Sequence, residues 1–399
     1  MSNETPVILD ISRLLSRVQH HTPSGVDRVE MAYARGLHAR YGDRLRFAAV
    51  HPLGLHGRIG TAPALLYLDE LERRWATEDG RPGKRTLVAE LPWLLKLLPR
   101  APRSAPGGVY VQASPHHLTR PALIRRMLRA EQARFLVLVH DLIPIDYPEY
   151  ARPNGAALHR RRIETITSLA DGIIANSQAT ALSLRPWLAR AERNVDVRVS
   201  LLGTQEIPHP SPPATEPGGP YFVCIGTIEP RKNHLLLLNL WRTMAATMDP
   251  HAIPRLVIIG RRGWENEQVI DMLERCVGLR GHVEELNGCP DRRMHELLRG
   301  ARGLLLPSFA EGYGMPVAEA LSVGVPVICS DLSALREAGG DAPDFLDPLD
   351  GPVWLRHILD YAAAGPRYQA QLDRLTQWHA PSWAQHLAVV CEAVDALQR

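Results

Sequence analysis

Short unbroken apolar runs alternate along this chain with longer stretches whose apolar positions recur every three or four residues. The runs in 6–15 (PVILDISRLL), 108–114 (GVYVQAS), 133–141 (ARFLVLVHD) and 171–177 (DGIIANS) predict strands buried on both faces. Between them, 21–42 puts Val26, Val29, Tyr33 and Leu37 on one helical face, and 120–132 and 154–170 also read as helices. That alternation predicts a parallel sheet with covering helices. It then stops. Residues 206–220 (EIPHPSPPATEPGGP) hold six prolines and two glycines with almost nothing apolar, the composition of a linker. Beyond it the pattern restarts, with strands in 221–226, 254–260, 302–308 and 325–331 and helices in 235–248, 267–278, 291–301 and 315–324.

The expected architecture is α/β, with two successive doubly wound, Rossmann-like domains. Residues 1–205 form the first, 206–219 a proline-rich joint and 220–380 the second. Residues 381–399 form a final amphipathic helix expected to pack back on the first domain. A chain of 399 residues is too long for one ordinary core, which agrees with two domains. Ligands of such sheets bind beyond the carboxyl ends of the strands, so a central cleft facing both domains is the expected site.

Composition narrows the class. Hydrophobic residues make up 45% and charged residues 22%, as in a soluble globular protein. No apolar window is long enough to span a bilayer, and the N-terminus lacks the pattern of a signal peptide. Five cysteines without CxxC spacing suit reduced thiols and a cytoplasmic setting. The net charge of +3 hides an asymmetry: 29 Lys+Arg against 19 Asp+Glu in 1–205, but 17 against 24 in 206–399. The basic half suits an anionic membrane or a phosphorylated ligand. It carries no nucleic-acid-binding signature, so no nucleic-acid partner is expected.

Two stretches carry candidate chemistry. In 224–234 (CIGTIEPRKNH) an apolar strand runs into Gly226 and Thr227, then a loop with Arg231 and Lys232, then a helix. Adjacent cations at a helix start beyond a strand suit a phosphate, although they also fit a solvated charge pair. The chain has only three lysines, and Lys232 is the only one after residue 205. In 308–327 (SFAEGYGMPVAEALSVGVPV) a strand leads into Glu311, Gly312, Tyr313, Gly314 and Met315, with Pro316 suited to a first helical turn. The glycines allow close backbone approach, and the free N–H groups at the helix start can hold an anion. Glu311 and Glu319 flank that start. Carboxylates suit neutral hydroxyls, and an anion suits the N–H groups between them. Glu319 alone also reads as a complement to the helix dipole.

These residues resemble the E-x7-E stretch of retaining glycosyltransferases of the GT-B fold, specifically the GT4 family and its bacterial mannosyltransferases. The resemblance is strongest over 220–350 and weaker through "FLVLVHD" and "IIANSQAT". It implies that Glu319 holds ribose hydroxyls and Glu311 the donor-sugar hydroxyls. Arg231 and Lys232 would neutralise a departing diphosphate, with Gly226, Thr227 and the backbone of 312–315 beside it. His140, closing "FLVLVHD", would contact the donor sugar or leaving phosphate. Gly25 would match the glycine-bearing loop beside the donor phosphates. The family commonly has Gly-Arg where this chain has Gly226-Thr227, and a double glycine where it has Ser24-Gly25.

The implied reaction moves a hexose, best matched by mannose from GDP-mannose, to a polyprenyl-linked or oligosaccharide acceptor in cell-surface polysaccharide synthesis. The anomeric configuration would be retained. No Asp-x-Asp is present, so no metal or other cofactor is expected. The alternatives are a GT-B epimerase or phosphorylase-like enzyme, or a non-catalytic nucleotide-sugar-binding protein. Finally, 91–103 (LPWLLKLLPRAPR) sets Trp93 and five leucines among basic residues. It reads either as an interfacial segment for the inner face of the cytoplasmic membrane or as a buried helix with a basic end.

Overall fold

A computed structural model describes residues 5–51, 54–77, 86–101, 108–204 and 219–399. These form two compact units, one made of the residues up to Gly203 together with Ser382–Arg399, the other spanning Thr204–Pro381. The joint read over 206–219 lies outside the described residues except for Gly219.

Unit 1 is built on seven strands: β1 (Val7–Asp10), β2 (Leu45–Val50), β3 (His56–Ile59), β4 (Gly108–Gln112), β5 (Ala133–Val139), β6 (Gly172–Ala175) and β7 (Asp196–Val199). Their order is β3-β2-β1-β4-β5-β6-β7. All neighbours are parallel except β2 and β3, which pair antiparallel. The strand order reverses between β1 and β4, the switch point of a doubly wound sheet. The helix Gly25–Tyr41 begins with a capping box, in which Ser24 N donates to Asp27 Oδ2 at 2.7 Å and Asp27 N to Ser24 Oγ. The last helix, Trp383–Gln398, belongs to this unit. Its His386 Nε2 lies 2.8 Å from Tyr33 Oη, and Gln398 Oε1 accepts from Arg44.

Unit 2 has six strands: β8 (Tyr221–Ile225), β9 (Arg255–Ile259), β10 (Val283–Leu286), β11 (Gly303–Leu306), β12 (Val327–Ser330) and β13 (Asp344–Leu346). The order is β10-β9-β8-β11-β12-β13, all parallel. Successive side chains of a strand point to opposite faces, and β8 divides its residues accordingly. Phe222 and Cys224 join one core with Trp241 and Trp354, whereas Tyr221, Val223 and Ile225 join the other with Leu298 and Val317. Two-sided burial is why these runs are continuously apolar. All five cysteines are free thiols. Among the described residues, no helix is long and apolar enough to cross a membrane.

Candidate active site

The ends of β8 and β11 bring both chemistry-bearing stretches of unit 2 together. Beyond β8 the chain turns at Gly226, whose φ of +149° favours glycine. A Cβ there would also lie 3.3 Å from Lys232 Cε. Close by, a Cβ on Gly260 would sit 1.7 Å from Gly226 O, so the backbones leaving β8 and β9 meet without side chains. Pro230–Lys232 makes a 3-10 turn, Asn233 follows at φ +52°, and the helix His234–Thr247 begins. Asn233 Nδ2 ties this turn to Pro348 O at 2.9 Å.

Glu311 stands opposite that turn. Lys232 Nζ and Ser308 Oγ both donate to its Oε1, at 2.5 and 2.6 Å. Arg231 donates to its Oε2 and to Ala310 O, both at 2.9 Å, and Arg231 Nε pairs with Glu229 Oε1 at 2.5 Å. Lys232 and Glu311 expose only 7% and 8% of their side chains, so the pairing is screened little by water. Burial alone would raise the pKa of Glu311. The Lys232 ammonium and Arg231 guanidinium outweigh it and hold the carboxyl down at about 2. For Glu229 the balance runs the other way: burial raises its pKa despite Arg231 and Lys232.

The helix Met315–Ser322 starts just beyond. Gly314 caps it at φ +105°, and a Cβ there would lie 2.4 Å from Leu335 Cδ2. Pro316 has no N–H and Val317 N bonds back to Gly314 O, so Gly314 and Met315 supply the remaining amides of this helix start. Tyr313 is buried and Gly312 half-buried in the same turn. Glu319 is half-buried one turn into the helix. The structure therefore joins Glu311 with Arg231 and Lys232 in one ion-paired cluster, where sequence reasoning gave sugar hydroxyls and diphosphate separate partners. Two further members, Glu229 and Ser308, complete the cluster. Both stand inside the quoted motifs, and their polarity at the ends of strands was the signal for them.

His140 and Gly25 belong to unit 1. His140 follows β5, and its Nε2–H donates to Ala113 O at 2.7 Å, leaving Nδ1 as the acceptor. Burial lowers its pKa, so the ring is neutral near pH 7. Asp141 caps the next turn by accepting from Ile143 N at 3.1 Å. Gly25 is the first residue of the helix Gly25–Tyr41, and Arg13 bonds both the Ser24 and Asp27 side chains beside it. A buried acid pair, unforeseen from sequence, lies near the end of β1. Asp10 accepts from Tyr110 Oη at 2.5 Å and from Ser12 N at 2.8 Å. Glu30 is pushed up to about 8 by burial and by the Asp10 carboxylate. No metal-binding cluster of His, Cys, Asp and Glu occurs among the described residues.

The helix Leu87–Lys96 answers the interfacial reading of 91–103 in part, with 102 and 103 outside the described residues. Leu97 is fully buried, and Trp93 packs on Tyr67 with ring centroids 5.5 Å apart. The outward apolar stripe is instead Val88, Leu91 and Leu95, exposed by 81%, 50% and 56%. Lys96 and Arg100 are exposed beside it.

Residues 209–343 match the family described as "Glycosyl transferases group 1", and over them the resemblance read from the sequence holds. O-antigen chain mannosyltransferase B of Escherichia coli is 40% identical over 140 residues, covering 35% of this chain and 36% of that protein. A serotype-specific mannosyltransferase WbdA of Escherichia coli is 26% identical over 226 residues, covering 53% of this chain and 27% of its own length. The chain thus spans about a third or less of these relatives. Among solved structures, sucrose-phosphate synthase from Thermosynechococcus elongatus superposes with a TM-score of 0.66 at 15% identity over 99% of both chains. HepE of Anabaena in complex with UDP-glucose gives 0.63 at 14% identity, over 98% of this chain and 100% of that one. These likenesses place the fold with the GT-B glycosyltransferases.

Proposed function

We propose that this chain, whose residues 209–343 are those of a group 1 glycosyl transferase, is a retaining, metal-independent hexosyltransferase. Its proposed donor is GDP-mannose, and its acceptor is a lipid-linked or saccharide chain of a surface polysaccharide. The observation that carries the reading is the buried cluster Glu229–Arg231–Glu311–Lys232–Ser308 ahead of the Gly314 helix start. Two cations and a set of backbone N–H groups form a receptor for a diphosphate. A diphosphate arriving there competes with Glu311 for Arg231 and Lys232. The carboxylate so released accepts from donor-sugar hydroxyls, and Glu319 accepts from the ribose. Arg231 and Lys232 then stabilise charge developing on the departing phosphate, a contribution worth roughly 10²–10³ in rate for one such contact. The mannosyltransferase relatives favour the donor sugar. The test is product formation and thermal stabilisation with GDP-mannose against UDP- and ADP-sugars, with proton NMR reading the anomeric configuration. A clear preference for UDP refutes the donor, and an inverted product refutes retention.

The stripe of Val88, Leu91 and Leu95 suits an anionic bilayer, because apolar side chains flanked by Lys96 and Arg100 satisfy both acyl chains and headgroups. This surface would hold the enzyme at the inner face of the cytoplasmic membrane, beside a polyprenyl-linked acceptor. Flotation with anionic liposomes should carry the wild type upward and leave a Leu91→Glu, Leu95→Glu variant behind. Equal flotation of the two removes this part of the reading.

A further inference from the structure

A polar cleft lies in unit 2, beside the outer strand β13, and its lining shares no residue with the cluster around Glu311. It is open to solvent and offers about 490 Å3 between β13 and the helices Ser333–Gly339, Gly351–Ala362 and Pro366–Leu375. That volume falls in the range of small-molecule sites. Its arginines differ in what they are bound to. Arg374 is spent on Asp344 Oδ1, and Asp344 Oδ2 accepts from Tyr361 Oη at 2.8 Å. Arg336 is held by a two-point bond to Asp331, at 2.6 and 2.9 Å, with its guanidinium 4.4 Å from the ring centroid of Phe345.

Arg367 has a different partner. The Nδ1–H of His357 donates to Val353 O at 2.8 Å, which leaves Nε2 as the acceptor. Arg367 donates to that nitrogen at 3.2 Å. An imidazole nitrogen, itself 3.9 Å from Asp344 Oδ2, thus holds the guanidinium beside the cleft. No carboxylate pairs with the Arg367 guanidinium among the described residues, and most of its five N–H donors stay available. Asp341, also on the lining of the cleft, stands exposed with an open carboxylate.

We propose that this cleft binds a small phosphorylated sugar. Arg367 takes the phosphate in its planar fork, and Asp341 accepts from ring hydroxyls. The division of labour follows from chemistry alone: an anion to the guanidinium, neutral hydroxyls to the carboxylate. A guard of arginines that merely shields the edge strand from pairing would have no use for an Arg fixed by an imidazole with no carboxylate partner of its own.

The proposal is independent of the donor reading, and its test separates the two sites. Titration calorimetry with mannose 6-phosphate, inorganic phosphate and mannose is run on the wild type, on Lys232→Ala and on Arg367→Ala. Saturable binding of mannose 6-phosphate is expected in the wild type and in Lys232→Ala. A loss of about tenfold or more in affinity is expected in Arg367→Ala, whose exposed position leaves the melting temperature unchanged. Asp341→Asn should weaken mannose 6-phosphate but not inorganic phosphate. The proposal is overturned if Arg367→Ala binds as the wild type does, or if a Lys232→Ala protein that keeps the native circular dichroism spectrum alone loses binding. It is equally overturned if no saturable binding occurs at millimolar concentrations. Inorganic phosphate binding as tightly as mannose 6-phosphate would remove the sugar from the assignment.

Discussion

Removing Lys232 separates what its buried ion pair does for the fold from what it does for catalysis. In Lys232→Met the ammonium 2.5 Å from Glu311 Oε1 is lost. At an effective dielectric of ~20 the gross attraction over that distance is about 7 kcal/mol. Arg231 still holds Oε2 and Ser308 still donates to Oε1, so the carboxylate keeps part of its support. The net loss should be about 3–5 kcal/mol, the usual consequence of leaving one member of a buried pair behind. The pH dependence identifies the source. Glu311 has a depressed folded pKa of about 2, so its stabilisation is fully present above the unfolded carboxyl range. It fades as pH falls from there toward about 2. Urea unfolding of wild type and variant should show the widest gap at pH 7 and convergence toward pH 2. The double variant Lys232→Met, Glu311→Gln should recover much of the stability at pH 7 but none of the activity. A gap that is constant with pH, or below ~1 kcal/mol at pH 7, would show that the pair does not carry the stability assigned to it.

Four further outcomes follow from particular residues. Glu30 has a folded pKa raised to about 8, so it weakens the fold as pH rises from the unfolded carboxyl range through 8. Glu30→Gln should therefore stabilise unit 1 near pH 8, by on the order of a few kcal/mol, and change little at pH 4. His234 is 1% exposed, neither ring nitrogen has a partner among the described residues, and burial holds its pKa down at about 3. His234→Leu should raise stability by roughly 1–3 kcal/mol and flatten its decline between the unfolded His range and pH 3, as read by denaturation across that interval. Gly314→Ala forces a side chain into φ +105° and against Leu335, and should cost about 1–3 kcal/mol together with donor affinity measured by calorimetry. Glu229→Gln frees Arg231 from one of its two carboxylates. It should change KM for the donor more than kcat in initial-rate assays, and the opposite split would make Glu229 part of the transition-state machinery.

Most interior strands were legible in the sequence because burial on both faces makes them continuously apolar; β5 and β8 are such strands, whereas the interior β2, broken by Arg46, went unread. The outer strands were not. Val283–Leu286 sets two adjacent glutamates between its apolar ends, and Asp196–Val199 is exposed at both ends, so neither stands out from helix or loop. Asp344–Leu346 is only three residues long. Glu311, Lys232 and the Gly314 turn were legible as a motif, but their mutual hydrogen bonds depend on how β8 and β11 are paired. Leu97 and Leu95 are chemically alike two residues apart, and only the packing of their helix decides which one meets solvent.

The return of the helix Trp383–Gln398 to unit 1 has a consequence for biogenesis. Tyr33 and Arg44 find their partners His386 and Gln398 about 350 positions later. A Cβ on Gly203 would sit 2.1 Å from Trp383 N, so the outgoing and returning chain lie backbone to backbone. The described residues of unit 2 are continuous in sequence and can complete their core during synthesis. Unit 1 must wait on the ribosome for its last helix, with the faces of Tyr33, Tyr41 and Gly36 uncovered in the interval. The demand for chaperones should therefore fall on the half made first.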